Sequence, residues 1–142
     1  MEKRRGADMP EVRVYEYELP GGWKVLAGKT DEDNDLISIR LAHPEDWWFH
    51  VRGMPRSHVL LRHRPDAEPD RATLKRAAAI AAYHSKARGG GVAAVSCTRA
   101  KNVTKPAGAK PGTVAIRRES IVKVRPEIPQ SELTTDKETY KG

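Results

Sequence analysis

The chain has 142 residues, of which 38% are hydrophobic and 32% charged, a balance that excludes a disordered chain and fits one globular domain. No apolar run approaches the ~18 residues that a membrane span needs, and no apolar stretch typical of a secretory signal follows the charged first residues. The net charge of +7 favours a polyanionic partner. Because the single Cys97 has no disulfide partner within the chain, we expect a cytoplasmic protein with a buried structural thiol.

The first half of the chain predicts a hairpin and a short helix. Residues 12–19 alternate between apolar and polar side chains, and residues 23–28 follow a Pro-Gly-Gly turn, so the two stretches predict paired strands. Residues near 34–42 predict a short helix because cap-forming residues precede them, although their β-branched content leaves a strand open. Residues 1–11 are polar, and we expect a flexible N-terminus.

The second half predicts one long helix among short strands. Residues 71–88 are rich in alanine, follow the possible cap Asp70 and end at three glycines, so they predict the main helix. Residues 127–142 are polar and without periodicity, which favours a flexible tail. Strands are predicted over residues 46–51, 57–62, 92–98, 113–118 and 121–125.

These elements predict an α+β fold. We expect a single domain over residues 12–126, built on a mixed, largely antiparallel sheet. The helix over about residues 71–88 would pack on one side of this sheet through a stripe of small side chains, with the shorter helix near 34–42 elsewhere.

The segment from Asp46 to Val59 concentrates aromatic, imidazole and guanidinium groups around a turn. An extended strand sends alternate side chains to opposite faces, so one face of this strand would be apolar core. The other face suits stacking on RNA and hydrogen bonding to it, although a large ring such as that of Trp48 equally suits the roof of a core. The core face would hold Trp47, Phe49 and Val51, and the other face Asp46, Trp48, His50 and Arg52.

The positive charge is confined to one part of the sequence. Residues 86–125 hold ten Lys/Arg and one acid, Glu119, for a net charge of +9, whereas the rest of the chain carries −2. Within this part, the Gly- and Pro-interrupted loop 99–112 suits phosphate contacts, which lysines and backbone amides can provide. An ordinary surface loop is the alternative. The residues expected to make these contacts are Lys101, Asn102, Lys105 and Lys110.

Three stretches carry motifs with defined spacing. They are Asp46-x-Trp48-Phe49-His50-Val51-x-Gly53-x-Pro55-x-Ser57-His58-Val59, then Lys105-Pro106-x-Gly108-Ala109-Lys110-Pro111-Gly112-x-Val114, and Tyr17-x-Leu19-Pro20-x-Gly22-Trp23-x-Val25-x-x-Gly28 with Asn34-Asp35 after it. Together they resemble the signatures of the NFACT-R domain, an RNA-binding family, over roughly residues 12–125. One residue departs from the family pattern, because Arg56 stands where a glycine is usual; a positive φ at that turn is therefore less favourable.

The resemblance implies an RNA-binding module linked to translation or ribosome quality control. The expected partners are tRNA, rRNA or the large ribosomal subunit, with no cofactor, no metal ion and no membrane. Longer relatives combine this domain with others and add tails to stalled nascent chains; we expect a stand-alone member without that activity. The RNA-binding residues implied are Trp48, His50, Arg52, Arg56, Ser57, His58, Lys101, Asn102, Lys105 and Lys110, with Asp46, Gly53 and Pro55 shaping the motif.

A different class of function stays open at this point. Asp46, His50 and His58 could serve a small RNA-processing or RNA-modifying enzyme, or an accessory subunit of one, if the fold brings them together. They could also form a hydrogen-bonded brace between strands. We expect a protein without catalytic residues, and an extracellular adhesin is the weakest alternative.

Overall fold

A computed structural model describes residues 11–54 and 57–129 and the backbone of residues 135–140. Its centre is a seven-stranded sheet with the order β8-β5-β3-β4-β2-β1-β9, beside a two-stranded sheet of β6 and β7. Every strand pair in both sheets is antiparallel. The strands are β1 (Val12–Leu19), β2 (Trp23–Gly28), β3 (Trp47–Val51), β4 (Val59–Leu61), β5 (Ala93–Arg99), β6 (Val103–Thr104), β7 (Ala115–Ile116), β8 (Ser120–Val124) and β9 (Thr135–Tyr140).

The α+β fold with a largely antiparallel sheet is confirmed. The predicted hairpin of β1 and β2 forms, with Leu19 opposite Trp23 across the turn. The strand predicted over residues 113–118 is the short β7, Ala115–Ile116. None of the helices in the described part of the chain is long and apolar enough to cross a membrane.

The expectation of a flexible tail after residue 126 is corrected by β9. The backbone of Thr135–Tyr140 pairs with β1 and forms one edge of the sheet. This strand has no apolar alternation, because an edge strand can satisfy its backbone hydrogen bonds without contributing to a core. The predicted flexible N-terminus, residues 1–11, lies almost wholly outside the described residues.

The short helix near residues 34–42 forms, and the strand alternative is wrong. Helix α1 (Asp31–Asp35) begins with a capping box in which Thr30 and Asp33 bond each other's backbone N–H groups. It continues directly into a π-helical segment, Leu36–Leu41. The cap therefore outweighs the strand preference of the β-branched residues that follow.

The main helix is shorter than its sequence pattern predicts. Helix α2 (Arg71–Tyr83) begins at the cap Asp70, whose side chain accepts the N–H of Thr73. After Tyr83, the hydroxyl of Ser85 bonds the carbonyl of Ala82 and accepts the N–H of Ala87, which starts a separate 3₁₀ turn, Lys86–Gly89. A side-chain hydroxyl thus diverts the backbone before the glycines are reached.

Both faces of the central sheet are covered, although the sequence predicted a helix on one side only. On the face that α2 covers, which we call the helix face, the alanine stripe of α2 (residues 77–82) packs on buried side chains that include Phe49, Val51 and Cys97. Cys97 is buried as predicted, and burial raises the pKa of its thiol to about 12. On the opposite face, which we call the loop face, a second core includes Ile37, Trp48 and Val103.

Glycine at position 28 permits the close approach of α1 to β2. A Cβ atom built on Gly28 would lie 2.2 Å from Oδ1 of Asn34 and 3.0 Å from its backbone nitrogen. Neither contact leaves room for a side chain, so α1 can reach the sheet only because β2 ends in glycine.

We predict that Gly28→Ala destabilises the fold by about 1–3 kcal/mol, since the added methyl group forces α1 away from β2. Urea unfolding followed by circular dichroism measures the change. Gly89→Ala is the matched control, because no atom lies within 4 Å of a Cβ built there, and it should change stability by no more than about 0.5 kcal/mol. Equal unfolding free energies for the two variants would contradict this account of Gly28.

Candidate nucleic-acid interface

Trp48 lies inside the loop-face core and presents no ring face for stacking. Only 1% of it is exposed, and its indole N–H donates to the hydroxyl of Ser38 at 2.8 Å. The alternation of β3 is as predicted, with Phe49 and Val51 buried on the helix face. The expectation that Trp48 stands on an open surface is wrong, because alternation identifies the face of a strand but not what covers it.

His58 belongs to the same buried network. The hydroxyl of Ser38 also lies 2.8 Å from Nδ1 of His58, and the peptide N–H of His58 donates to Oδ1 of Asn34. Burial, together with the smaller effect of the neighbouring His50, lowers the pKa of His58 to about 4. At neutral pH the imidazole is therefore uncharged, so His58 supplies no positive charge for a phosphate.

His50 is the histidine of this motif that reaches the surface. Its ring is partly exposed and meets the ring of His58 edge-on, with 5.2 Å between ring centroids. The ring of Trp48 lies on its other side at 5.8 Å. His50 therefore caps the buried aromatic cluster at the point where the loop face opens.

Asp46 is a structural brace. It is fully buried and accepts the peptide N–H groups of His43 at 2.9 Å and His63 at 2.6 Å, while its carboxylate lies 3.3 Å from Nε of Arg62. These contacts tie the start of β3 to the segment after β4, which agrees with the shaping role expected of Asp46.

The constellation that an enzyme would need does not form among the described residues. The contacts of Asp46 include neither His50 nor His58. Within residues 11–54 and 57–129, no three His, Cys, Asp or Glu side chains are grouped so that they could hold a metal ion. The enzyme alternative therefore has no assembled acid–base or metal centre in this part of the molecule.

The described residues of the turn after β3 have structural roles. Gly53 has φ +72°, and Ser57 has φ +52° while its hydroxyl donates to the carbonyl of His84 at 2.6 Å. Ser57 is buried by this contact with the end of α2, so the contact to RNA expected of it is not accessible. Pro55 and Arg56 lie outside the described residues.

Lys105 organises the basic loop from within. Its ammonium group donates to the backbone carbonyls of Lys110 and Thr113 and pairs with Asp35 at 3.0 Å. The other carboxylate oxygen of Asp35 accepts the N–H of Gly112 at 3.0 Å. Lys105 therefore shapes the loop, and its charge is already matched by a carboxylate.

Two further residues of the loop also have partners within the protein. The ammonium group of Lys101 lies 2.9 Å from the carboxylate of Glu45, and this contact lowers the pKa of Glu45. Asn102 is buried and donates from its amide to the hydroxyl of Thr98 at 3.1 Å. Lys101, Asn102 and Lys105 thus each have a partner within the protein, and the phosphate contacts expected of them stay a prediction.

Lys110 is the residue of the loop that meets the histidine motif. With the loop to which it belongs, Lys110 borders a cavity of about 430 Å³ that opens on the loop face. We call this the His50 cavity. Its lining includes Trp48, His50, His58, Lys110, Val114 and Ile116.

Strand β8 extends this surface beyond the cavity. Ser96 of β5 lies opposite both His50 and Ile121, so these three side chains share the loop face, and Lys123 follows on the same face. Ile121 is 40% exposed, which is unusual for a large apolar side chain on a sheet. The alternation of residues 120–124 could have indicated this surface from the sequence.

Glu119 adds a negative charge to this surface, as Asp31 does in the lining of the cavity. Its carboxylate accepts the hydroxyl of Ser96 at 2.6 Å and lies 3.9 Å from Nε of Arg52. The guanidinium of Arg52, which is largely exposed, is thereby held over the loop face beside His50. We call Arg52, Glu119, Ile121 and Lys123 the open strip.

We predict that the fold loses stability as the pH falls from 6.5 towards 4. Burial lowers the pKa of both His58 and His84 to about 4 in the folded protein, whereas in the unfolded chain both take up protons near pH 6.5. Since the unfolded state binds more protons in this window, each histidine contributes a slope approaching about 1.4 kcal/mol per pH unit.

Urea unfolding at pH 7.5, 6.5 and 5.5 measures this loss. His84→Gln, whose amide can still accept the hydroxyl of Tyr17, should remove about half of the slope while keeping the fold. A free energy of unfolding that stays constant across these pH values would exclude the neutral, buried state of the two imidazoles.

Comparison with known proteins identifies an RNA-binding domain family over most of the chain. The family described as the NFACT protein RNA binding domain matches residues 13–118. The chain is 40% identical over 127 residues to the Rqc2 homolog RqcH of Bacillus subtilis, and 36% identical over 102 residues to that of Streptococcus suis. These matches cover 89% and 72% of the chain but only 22% and 18% of the relatives, so the chain spans about a fifth of their length.

A solved structure is similar in both fold and sequence. It is that of the C-terminal part of the fibronectin/fibrinogen-binding protein from Streptococcus suis, with a TM-score of 0.74 and 32% identity. The similarity covers 89% of this chain and 47% of that one. The family match extends from β1 to β7 and includes both helices, the basic loop and the residues that line the His50 cavity. The chain therefore belongs to the NFACT RNA-binding domain family.

Proposed function

We propose that the protein is an RNA-binding module that holds an unpaired segment of RNA on its loop face. The observation that carries the proposal is the meeting of His50 and Lys110 at one open cavity, with Arg52 and Lys123 on the adjacent strip. The cavity volume of about 430 Å³ falls within the range of sites that hold small organic ligands, so one base fits it.

The chemistry of the surface suits a single strand. The ring of His50 and the apolar side chains of Val114 and Ile116 offer a place where a base can stack, and Ile121 offers a second apolar contact. Lys110 and Lys123 are exposed and stand on either side of these groups, where they can neutralise consecutive phosphates.

The cellular partners form a finer part of the proposal. Relatives of the chain are named Rqc2 homolog RqcH, which supports a role in translation or ribosome quality control. We propose tRNA or rRNA, including that of the large ribosomal subunit, as the RNA, and the cytoplasm as the setting. The chain matches about a fifth of those relatives, so we do not extend the tailing of nascent chains to it.

We predict that His50→Ala and Lys110→Ala each weaken binding of a single-stranded RNA oligonucleotide by about 1–3 kcal/mol, measured by fluorescence anisotropy. Lys110→Ala should also reduce the slope of log affinity against log salt by about 0.7, because one phosphate contact is lost. Lys75→Ala is the matched control, since Lys75 is exposed on α2 across the sheet from the cavity.

Binding that is insensitive to salt, or equally weakened by Lys75→Ala, would count against the loop face as the RNA site. Trp48→Ala is not a useful test of the RNA site. Because Trp48 is buried, its truncation leaves a cavity in the core and costs about 3–5 kcal/mol of stability, so the variant measures folding and not contact.

We further predict that Glu119→Gln increases RNA affinity by about twofold to fivefold, since it removes a negative charge from the open strip and releases the guanidinium of Arg52. The amide can still accept the hydroxyl of Ser96. Glu127→Gln is the control, because Glu127 is exposed and its backbone N–H bonds Ala79 of α2, on the other side of the sheet. A decrease in affinity with Glu119→Gln would show that RNA uses this carboxylate as an acceptor, contrary to the proposed arrangement.

A further inference from the structure

A second cavity, separate from the His50 cavity, opens at the end of α2, beside the segment in which β2 passes into α1. Its volume is about 180 Å³, and we call it the His84 cavity. Its lining includes Tyr15, Lys29, Asp31, Ser57, His84 and Arg88. His84 is only partly exposed.

The ring of His84 is fixed by two tyrosines. Tyr15 stacks on it, with 4.6 Å between ring centroids and 15° between ring planes. The hydroxyl of Tyr17 forms a hydrogen bond with Nε2 of His84, and burial raises the pKa of this phenol above its usual value. The phenol therefore keeps its proton, and in the tautomer of His84 that carries its hydrogen on Nδ1 the phenol donates a hydrogen bond to Nε2.

This hydrogen bond decides which nitrogen of His84 carries a proton. Burial and the nearby Arg88 lower the pKa of His84 to about 4, so the ring is neutral at pH 7. A neutral imidazole that accepts at Nε2 bears its hydrogen on Nδ1. Among the described residues no acceptor meets Nδ1, so in this tautomer the ring offers one neutral N–H donor at the cavity.

Two cations border the same cavity, each held against a tyrosine ring. The ammonium group of Lys29 lies 4.9 Å from the ring centroid of Tyr15, and the guanidinium of Arg88 lies 4.0 Å from that of Tyr83. The Nε–H of Arg88 also donates to the carbonyl of Tyr83, which leaves the outer nitrogens of the guanidinium to bind other groups. Asp31 supplies the one carboxylate in the lining.

We propose that the His84 cavity binds a phosphate group of a nucleotide, with Lys29 and Arg88 supplying the charge and Nδ1–H of His84 a neutral hydrogen bond. The volume supports a phosphate and not a base, because about 180 Å³ is well below the ~300–1,000 Å³ of cavities that hold organic ligands. Arginine and lysine are the side chains that bind phosphate best, and both are present.

The position of the cavity connects it with RNA, and this connection rests on the function proposed above. Asp31 lines both cavities, so the two cavities are adjacent. At the start of β4, His58 borders the His50 cavity and Ser57 borders the His84 cavity. An RNA strand whose base occupies the first cavity can therefore place a neighbouring or terminal phosphate in the second.

Nuclear magnetic resonance of the His84 ring tests the site without RNA. Inorganic phosphate is titrated into the labelled protein at pH 7.5, with the ionic strength held constant by chloride. We expect saturable shifts of the His84 ring resonances. Lys29→Gln and Arg88→Gln should each raise the dissociation constant about tenfold, whereas the exposed controls Lys75→Gln and Arg71→Gln should leave it unchanged.

Two nucleotide probes distinguish the source of the phosphate. Uridine 5′-monophosphate carries a terminal phosphate, and the unphosphorylated dinucleotide of uridine carries only an internal diester. A response of His84 to the monophosphate alone assigns the cavity to a 5′ end, and a response to both assigns it to the backbone. The proposal is overturned if neither probe shifts the His84 resonances, or if Lys29→Gln and Arg88→Gln leave the dissociation constants unchanged.

Failure of this site and failure of the proposed function give different results. If RNA binds through His50 and Lys110 while phosphate leaves the His84 resonances unmoved, only the second site is refuted. If phosphate shifts those resonances with the expected loss in Lys29→Gln and Arg88→Gln, but no RNA oligonucleotide binds, the second site stands and the RNA-binding proposal falls.

Discussion

The contacts of Asn34 and Asp35 hold together three parts of the chain that lie far apart in sequence. Asn34 accepts the peptide N–H of His58 at the start of β4, and Asp35 accepts the N–H of Gly112 while it pairs with Lys105. These two side chains stand at the end of a five-residue helix that reaches the sheet because Gly28 has no side chain. This pair therefore helps to fix the basic loop over the histidines, together with the β6–β7 pairing and the packing of Val114 and Ile116 on the loop-face core.

Contacts within the protein also determine how much of the positive charge is available to a partner. The sequence places a net charge of +9 between residues 86 and 125, but much of it serves to hold the structure. Lys101 pairs with Glu45, and Lys105 pairs with Asp35, so the charge of each lysine is partly neutralised by a carboxylate of the protein. Lys110 on the loop and Lys123 on the edge strand are exposed cations of this surface that remain for a partner. Paired cations therefore determine the shape of the surface, and exposed cations determine its attraction for a polyanion.

Sequence patterns predicted most strands and both helices because these elements depend on local signals: alternation in β1, a capping residue before α2 and the turn between β1 and β2. Prediction failed where the answer depended on distant residues. Alternation placed Trp48 on the correct face of β3 but could not show that Ile37 and Val103 cover that face. Strand β9 was missed because an edge strand needs no apolar pattern. The family resemblance identified Asn34-Asp35 and Gly112 as motif residues, yet only their contacts explain why these residues occur together.

The two histidines at the start of β4 and the end of α2 have a shared physical character that limits how this protein can recognise an anion. Burial keeps both His58 and His84 neutral near pH 7, so neither contributes charge. Attraction for phosphate must then come from lysine and arginine, whose charge does not change between pH 6 and 8. The histidines contribute geometry instead: His58 anchors Ser38 and Trp48 in the core, and His84 aligns one hydrogen-bond donor against Tyr15. Mild acidification therefore acts through His58 and His84 on the stability of the fold, while the charge of the lysines and arginines stays constant.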